Sequence, residues 1–295
     1  MSDTVYLAGI SLAALTFFLV LIGQMRSQKS FNGRFLFFCC LFSLAAAFVL
    51  SRGNVYLFGG FMTRIRGFFS LNPYDYSVMG TLLGLVVGTI AAARLTRTST
   101  GTTLDLITPA AFCALAIARF AEGFSDFGWG GLVFDEQFQF FPLCVRDMYD
   151  QFHLAVFLFE GIAAVLLVVF LPRTPVGHGD RFARTFCRFM LSQIFFESLR
   201  AETLRIGFVR VQQVECAVFV LVMILIILKR DKHSAGICTA VHLCTVGIAI
   251  FCEFALDKIT SIPAPVVYTI LGLSLIVCDF VLERFFHREL VRSQN

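Results

Sequence analysis

Nine apolar runs, each close to the length that crosses a bilayer, constrain this sequence more than any other feature. They are Val5–Ile22, Phe35–Leu50, Tyr76–Arg94, Ile107–Phe120, His153–Leu171, Phe182–Leu199, Val211–Leu228, Gly236–Ala255 and Ala264–Leu282. A spanning helix needs about 20 mostly apolar residues, and in lipid the backbone must satisfy its own hydrogen bonds, which favours helices. Arg184, Arg188, Gln193 and Glu197 interrupt the sixth run and make it the weakest. Of 295 residues 58% are hydrophobic and only 15% charged, far below the roughly 25% charged of a soluble domain. The expected fold is an all-α, polytopic transmembrane helical bundle of about nine spans. The first run lacks a basic flank and a small-residue cleavage site, so it reads as a span and not as a cleaved signal.

Basic residues in short loops set orientation. With the N-terminus outside, Arg26/Lys29/Arg34, Arg94/Arg97, Arg173/Arg181/Arg184/Arg188, Lys229/Arg230/Lys232 and Arg284/Arg288/Arg292 all fall in the cytoplasm, as does the C-terminus. The acidic segment with Asp126, Asp135, Glu136, Asp147 and Asp150 then lies outside. Arg119, Glu122, Arg200, Arg205 and Arg210 cluster at the outer boundary, where ionisable residues are costly and point to function.

Other classes find little support. The ten cysteines sit in apolar runs without a CxxC, and the five histidines form no HxxxH, so no metal is expected. No cofactor is implied: Gly128–Gly131 do not join a strand to a helix in the manner of a phosphate-cradling loop. No nucleic-acid role is indicated. A transporter would call for repeated halves or paired broken helices, and neither is apparent. The loop Ser51–Asp75, with Gly53, Gly59, Gly60, Gly67, Phe58, Phe61, Phe68, Phe69, Arg52, Arg64 and Arg66, suits an interfacial, partly helical arm. Gly80, Gly84 and Gly88 recur every four residues and predict close helix packing. Glu197 and Arg200, three apart, are expected to share a helix face and pair.

Asp105-Leu-Ile-Thr-Pro109, then Ala118-Arg119-Phe-Ala-Glu122-Gly-Phe-Ser-Asp-Phe-Gly-Trp-Gly130, resembles the signature region of the prolipoprotein diacylglyceryl transferases. There an Asp–Pro helix start leads to a Gly-Arg-x-Gly-Asn-type motif ending in a glycine. Phe159-Glu160-Gly161, Gly179, the stretch Phe189–Arg200 and Gln212 match further family positions in order. The resemblance runs from about Met79 to Lys229. It implies a membrane enzyme of the bacterial inner membrane that moves the diacylglyceryl group of phosphatidylglycerol to the thiol of a lipobox cysteine on a prolipoprotein, releasing glycerol phosphate. Those two substrates are the implied partners.

On that resemblance Arg119 and Glu122 are the candidate catalytic residues. Arg119, Gly130, Gln193, Glu197 and Arg200 are the candidate substrate-binding ones. Arginine suits bidentate phosphate contact, and Glu122, which replaces the family's Asn, is a candidate base. Gln193 replaces a second arginine, Phe189 a tyrosine and Met79 a histidine; Arg200, Arg205 or Arg210 could supply the missing charge. These departures leave a second reading open, a non-catalytic phospholipid-binding protein of the same fold. Residues 1–229 read as the transferase-like core and 230–295 as an added helix pair with a basic tail, whose Glu253 and Asp279 are expected to be satisfied by Lys258, serine or backbone groups.

Overall fold

Nine α-helices form among the described residues: α1 (Ser2–Ser27), α2 (Gly33–Phe58), α3 (Val78–Leu95), α4 (Thr100–Glu122), α5 (Val156–Val169), α6 (Asp180–Leu199), α7 (Val211–Ile227), α8 (Lys232–Lys258) and α9 (Ala264–Gln294). The structure is a computed structural model that describes residues 2–28, 32–59, 68–69, 75–125, 128–172, 176–201, 203–229, 231–259 and 261–294. The chain is an all-α polytopic membrane bundle. Six helices, α1 to α4, α8 and α9, are long and apolar enough to cross a bilayer, while α5 and α7 are apolar but shorter. The 20-residue α6 is long enough but carries the interrupting charges. Outward rows such as Leu12, Leu15 and Leu19 on α1, or Leu273, Ile276 and Phe280 on α9, are exposed. Such rows suit acyl chains and would be a liability in water.

Short polar caps start several helices. Asn32 accepts from the Phe35 N–H at 3.2 Å, Ser77 from Gly80 at 3.2 Å and Asp231 from Ser234 at 3.1 Å, each satisfying an N–H that the first turn leaves open.

The chain divides into two compact units, residues 1–127 with 157–182, and residues 128–156 with 183–295. In the first, the glycine repeat of α3 lies against α2. A Cβ on Gly84 would come within 2.3 Å of the Ala47 Cα, and one on Gly88 within 2.4 Å of the Ser43 Cα. The expected close packing is present. α1 runs along α4, where Gly9 faces Ala121.

Two expectations are corrected here. The segment from Ser51 to Phe58 continues α2, and Arg52 is fully buried instead of lying on a bilayer surface. Its Nε donates to the Phe68 carbonyl at 2.8 Å, its Nη1 donates to the Asp75 carbonyl at 2.9 Å and sits 3.2 Å from the Asp75 carboxylate. Gly60, Phe61, Arg64, Arg66 and Gly67 of the arm lie outside the described residues, as do Lys29, Asp126, Arg173 and Arg230. The second correction concerns Asp105, which does not start a helix. α4 begins at Thr100 behind an N-cap Ser99 and carries Pro109 inside it. Asp105 is buried and reaches out of its own helix: Oδ2 accepts from Gly177 at 3.1 Å and Gly179 at 3.0 Å, and Oδ1 from Phe182 at 3.0 Å. It thereby caps the start of α6. Gly179 has φ +85°, a left-handed conformation that glycine adopts without penalty.

The second unit contains two small hairpins. β1 (Cys144–Arg146) pairs antiparallel with β2 (Phe152–Leu154), and β3 (Arg205–Ile206) with β4 (Val209–Arg210). Here α9 lies along α6. Arg184 pairs with Glu283, and Arg188 reaches Glu283 at 3.1 Å and Asp279 at 3.5 Å. Asp279 is thus met by arginine, not by Lys258 or serine as expected.

Candidate functional site

Arg119 and Glu122 end α4 one helical turn apart, so both side chains leave the helix on one face. Arg119 is 1% exposed and Glu122 4%. The Arg119 Nη1 donates to the Glu122 carboxylate at 2.7 Å, while its Nε lies 2.8 Å from the carboxylate of Glu160 on α5. A guanidinium with two carboxylates is a buried ionic cluster that survives only where each charge is met. The helices that hold it interlock: a Cβ on Gly123 would strike the Phe157 ring at 2.4 Å, and one on Gly161 the Phe120 ring at 2.4 Å. These two glycines bring α4 and α5 close enough for Glu160 to reach Arg119.

Gly130, Gln193, Glu197 and Arg200 belong to the second unit. Gly130 pairs with Arg200 in a single antiparallel bridge; its N–H donates to the Leu154 carbonyl at 2.8 Å, and that of Gly131 to the Leu199 carbonyl at 3.2 Å. Any side chain at 130 would meet Leu154, Val156 and the Leu199 carbonyl, all at 2.8 Å. Only a glycine admits this approach. Trp129 donates no side-chain bond among the described residues although its Nε1 is buried, and its ring lies 5.2 Å from that of His153. Gln193 and Glu197 are buried along α6, whereas Arg200 is half-buried just past the helix end at Leu199.

The carboxyl end of α6 is closed by Arg210. Its Nη1 donates to the carbonyls of Glu197 and, at 2.8 Å, Arg200, and its Nη2 to that of Ser198 at 3.1 Å. Arg210 is therefore buried in structure, while Arg205 is exposed with its Nε on Thr203 at 3.1 Å. Outside the spans, desolvation would raise the Asp147 carboxyl in the β1–β2 turn. The N–H groups of Gln151 and Tyr149, with the His153 ring, outweigh it and hold that carboxyl below the usual range. Among the described residues no group of three His, Cys, Asp or Glu side chains is placed to hold a metal ion.

No family model matches the chain. Curated relatives do. The chain is 28% identical over 161 residues to the phosphatidylglycerol–prolipoprotein diacylglyceryl transferase of Clostridium novyi, covering 52% of this chain and 63% of that protein. It is 26% identical over 164 residues to the enzyme of the same name from Bacillus cytotoxicus (53% and 61%), and 30% over 163 residues to that of Streptococcus suis (51% and 60%). This chain is a diverged relative of the diacylglyceryl transferases. The match spans about three fifths of the length of those curated relatives.

Against the pattern of the diacylglyceryl transferases the departures are structural as well as chemical. Met79 and Phe189, where the family has histidine and tyrosine, are buried, and Gln193, where it has arginine, is buried too. Three residues escaped the sequence reading of the site. Glu160 lies in a matched tripeptide, and a lone carboxylate in an apolar run is itself a sign of a buried partner. Gln213, not Gln212, turns into the protein, its Nε2 donating to the Ile194 carbonyl at 3.0 Å. Glu253 meets Arg210 at 2.9 Å, a pairing across 43 residues that no local pattern announces.

Proposed function

We propose that this protein moves a diacylglyceryl group from phosphatidylglycerol to a cysteine thiol of a prolipoprotein, at the outer face of a bacterial cell membrane. The observation that carries the reading is Arg119, buried between Glu122 and Glu160 on the stretch with the family's signature. In the proposed step the thiol sulfur attacks the glyceryl carbon that bears the phosphate ester. A C–S bond forms as that C–O bond breaks, and the electron pair leaves on glycerol phosphate. The thiol proton passes to the Glu122 carboxylate. Protonating Glu122 weakens its hold on the Arg119 Nη1, which turns its charge to the departing phosphate as that charge develops. Glu160 keeps the guanidinium in place throughout. Gly130, Gln193, Glu197 and Arg200 are assigned to binding the phospholipid.

The test is lipidation of a lipobox peptide by the purified chain in phosphatidylglycerol vesicles, with complementation of a strain depleted of its own transferase. Transfer by the intact chain, lowered about 100-fold or more in Glu122→Gln, is the expected result. An intact, folded chain that leaves the peptide unmodified overturns the proposal. A second reading, a phospholipid-binding protein without turnover, is favoured by the buried apolar Met79 and Phe189 in place of groups that exchange protons. It predicts co-purified phosphatidylglycerol with no modified thiol.

A further inference from the structure

We propose that Glu253, on α8 and beyond the stretch that resembles the family, is a positioning residue for the Glu197–Arg200 end of α6. The proposal rests on the functional reading of that end as a phospholipid-binding segment. Glu253 is 5% exposed and sits in a helix otherwise suited to lipid, where an isolated carboxylate is costly. Here both of its oxygens are used. Oε2 meets the Arg210 Nε at 2.9 Å; Oε1 accepts from the Gln213 Nε2 at 2.7 Å and from the Ser198 hydroxyl.

Those donors share one target. Arg210 spends its Nη groups on the carbonyls of Glu197, Ser198 and Arg200, the acceptors that the last turn of a helix leaves open. Gln213 also donates to Ser198 Oγ at 2.8 Å, and the Tyr268 hydroxyl of α9 approaches the Ser198 carbonyl at 3.5 Å. The carboxylate fixes the plane of the guanidinium through Nε, and the guanidinium fixes the carbonyls. Arg200 is thereby held where its backbone meets Gly130. Glu253 touches none of the groups assigned to phosphate or thiol and acts only through Arg210, Gln213 and Ser198. The positive charge of Arg210 at this end also opposes the negative end of the helix dipole, so one residue serves both purposes once Glu253 has oriented it.

Two variants test the proposal in the full-length protein. Glu253→Asp keeps the charge on a shorter arm, and Glu253→Gln keeps the length without the charge. Hydrogen exchange at the amides of Arg200 and Ala201 is expected to accelerate about 10-fold or more in both, with the remaining helices unchanged. KM for phosphatidylglycerol is expected to rise about 10-fold, the lower end of what the loss of a supporting partner costs, with kcat within about twofold. Wild-type exchange and KM in both variants would overturn the proposal, and so would exchange that quickens equally in every helix. If the unaltered chain neither binds nor turns over phosphatidylglycerol, the functional reading falls. The exchange measurement still decides whether Glu253 holds the end of α6.

Discussion

Two carboxylates from two helices hold Arg119, and that count decides what its loss does. Arg119→Ala strands Glu122 and Glu160 as buried like charges, and removing one partner of a buried ionic group costs about 3–5 kcal/mol. Thermal unfolding in detergent is expected to show a large drop for Arg119→Ala, partly recovered when Glu160→Gln is added. An Arg119→Ala variant as stable as the parent would mean that the cluster is not formed. Arg119 and Glu122 were legible in the sequence as charges at the end of an apolar helix, but their pairing was not, and the third member, Glu160, comes from another helix that no local spacing links to them. Asp147 offers a prediction with a definite pH sign. Its carboxyl titrates lower in the folded turn than the about 3.9 of an unfolded chain. The stability it lends is therefore present above that value and is lost as pH falls through the folded one. Trp129, the one tryptophan in the chain, rests against His153, which lies 3.4 Å from Asp147. Its emission is expected to shift below about pH 4 in the parent, while Asp147→Asn shows the acid-state emission at neutral pH.

Among elements, the glycine face of α3 meets the backbone of α2 directly. Gly84→Ala would put a methyl 2.3 Å from the Ala47 Cα, which no rotamer relieves. The helices must separate, at about 1–3 kcal/mol for an overpacked contact. Gly53, with open space around it, is the control, and Gly53→Ala is expected to leave the unfolding midpoint nearly unchanged. Equal midpoints for the two variants would argue against the packing. The four-residue glycine period carried this contact in the sequence because it depends on one helix's own geometry. The role of Asp105 was not legible in that way. Its nearness to Pro109 imitates a helix start, whereas the N–H groups it caps lie 72 to 77 residues further on. Losing three hydrogen bonds at once is expected to make Asp105→Ala much worse than a surface substitution, about 2–3 kcal/mol. Faster exchange at Gly179 and Phe182 would locate the damage at the start of α6.

At the scale of the whole molecule, the apolar runs made the all-α membrane class legible from composition alone, since lipid leaves few alternatives. The partners of the charges on α6 were harder to see. Arg184 and Arg188 read as charges that interrupt the sixth run and set orientation; they are four apart on a helix, as are Asp279 and Glu283 on α9. Matching four-residue spacings of opposite sign on two apolar helices were the signal available for their pairing. In the second unit the residues after Lys229 thus supply the acids for Arg184, Arg188 and Arg210. A chain cut after Lys229 leaves Arg210 buried without Glu253. That loss alone is about 3–5 kcal/mol against a total stability of about 5–15 kcal/mol, before the two half-buried arginines of α6 are counted. The shortened chain is expected to elute as aggregate on size-exclusion chromatography, and co-expression of a separate segment 230–295 to restore a single peak. The rescue is expected to fail when that segment carries Glu253→Ala and Glu283→Ala together, because its apolar faces remain while its acids are gone. A shortened chain that elutes as one sharp peak and unfolds at the full-length midpoint would instead place the stabilising contacts of α6 within the first 229 residues.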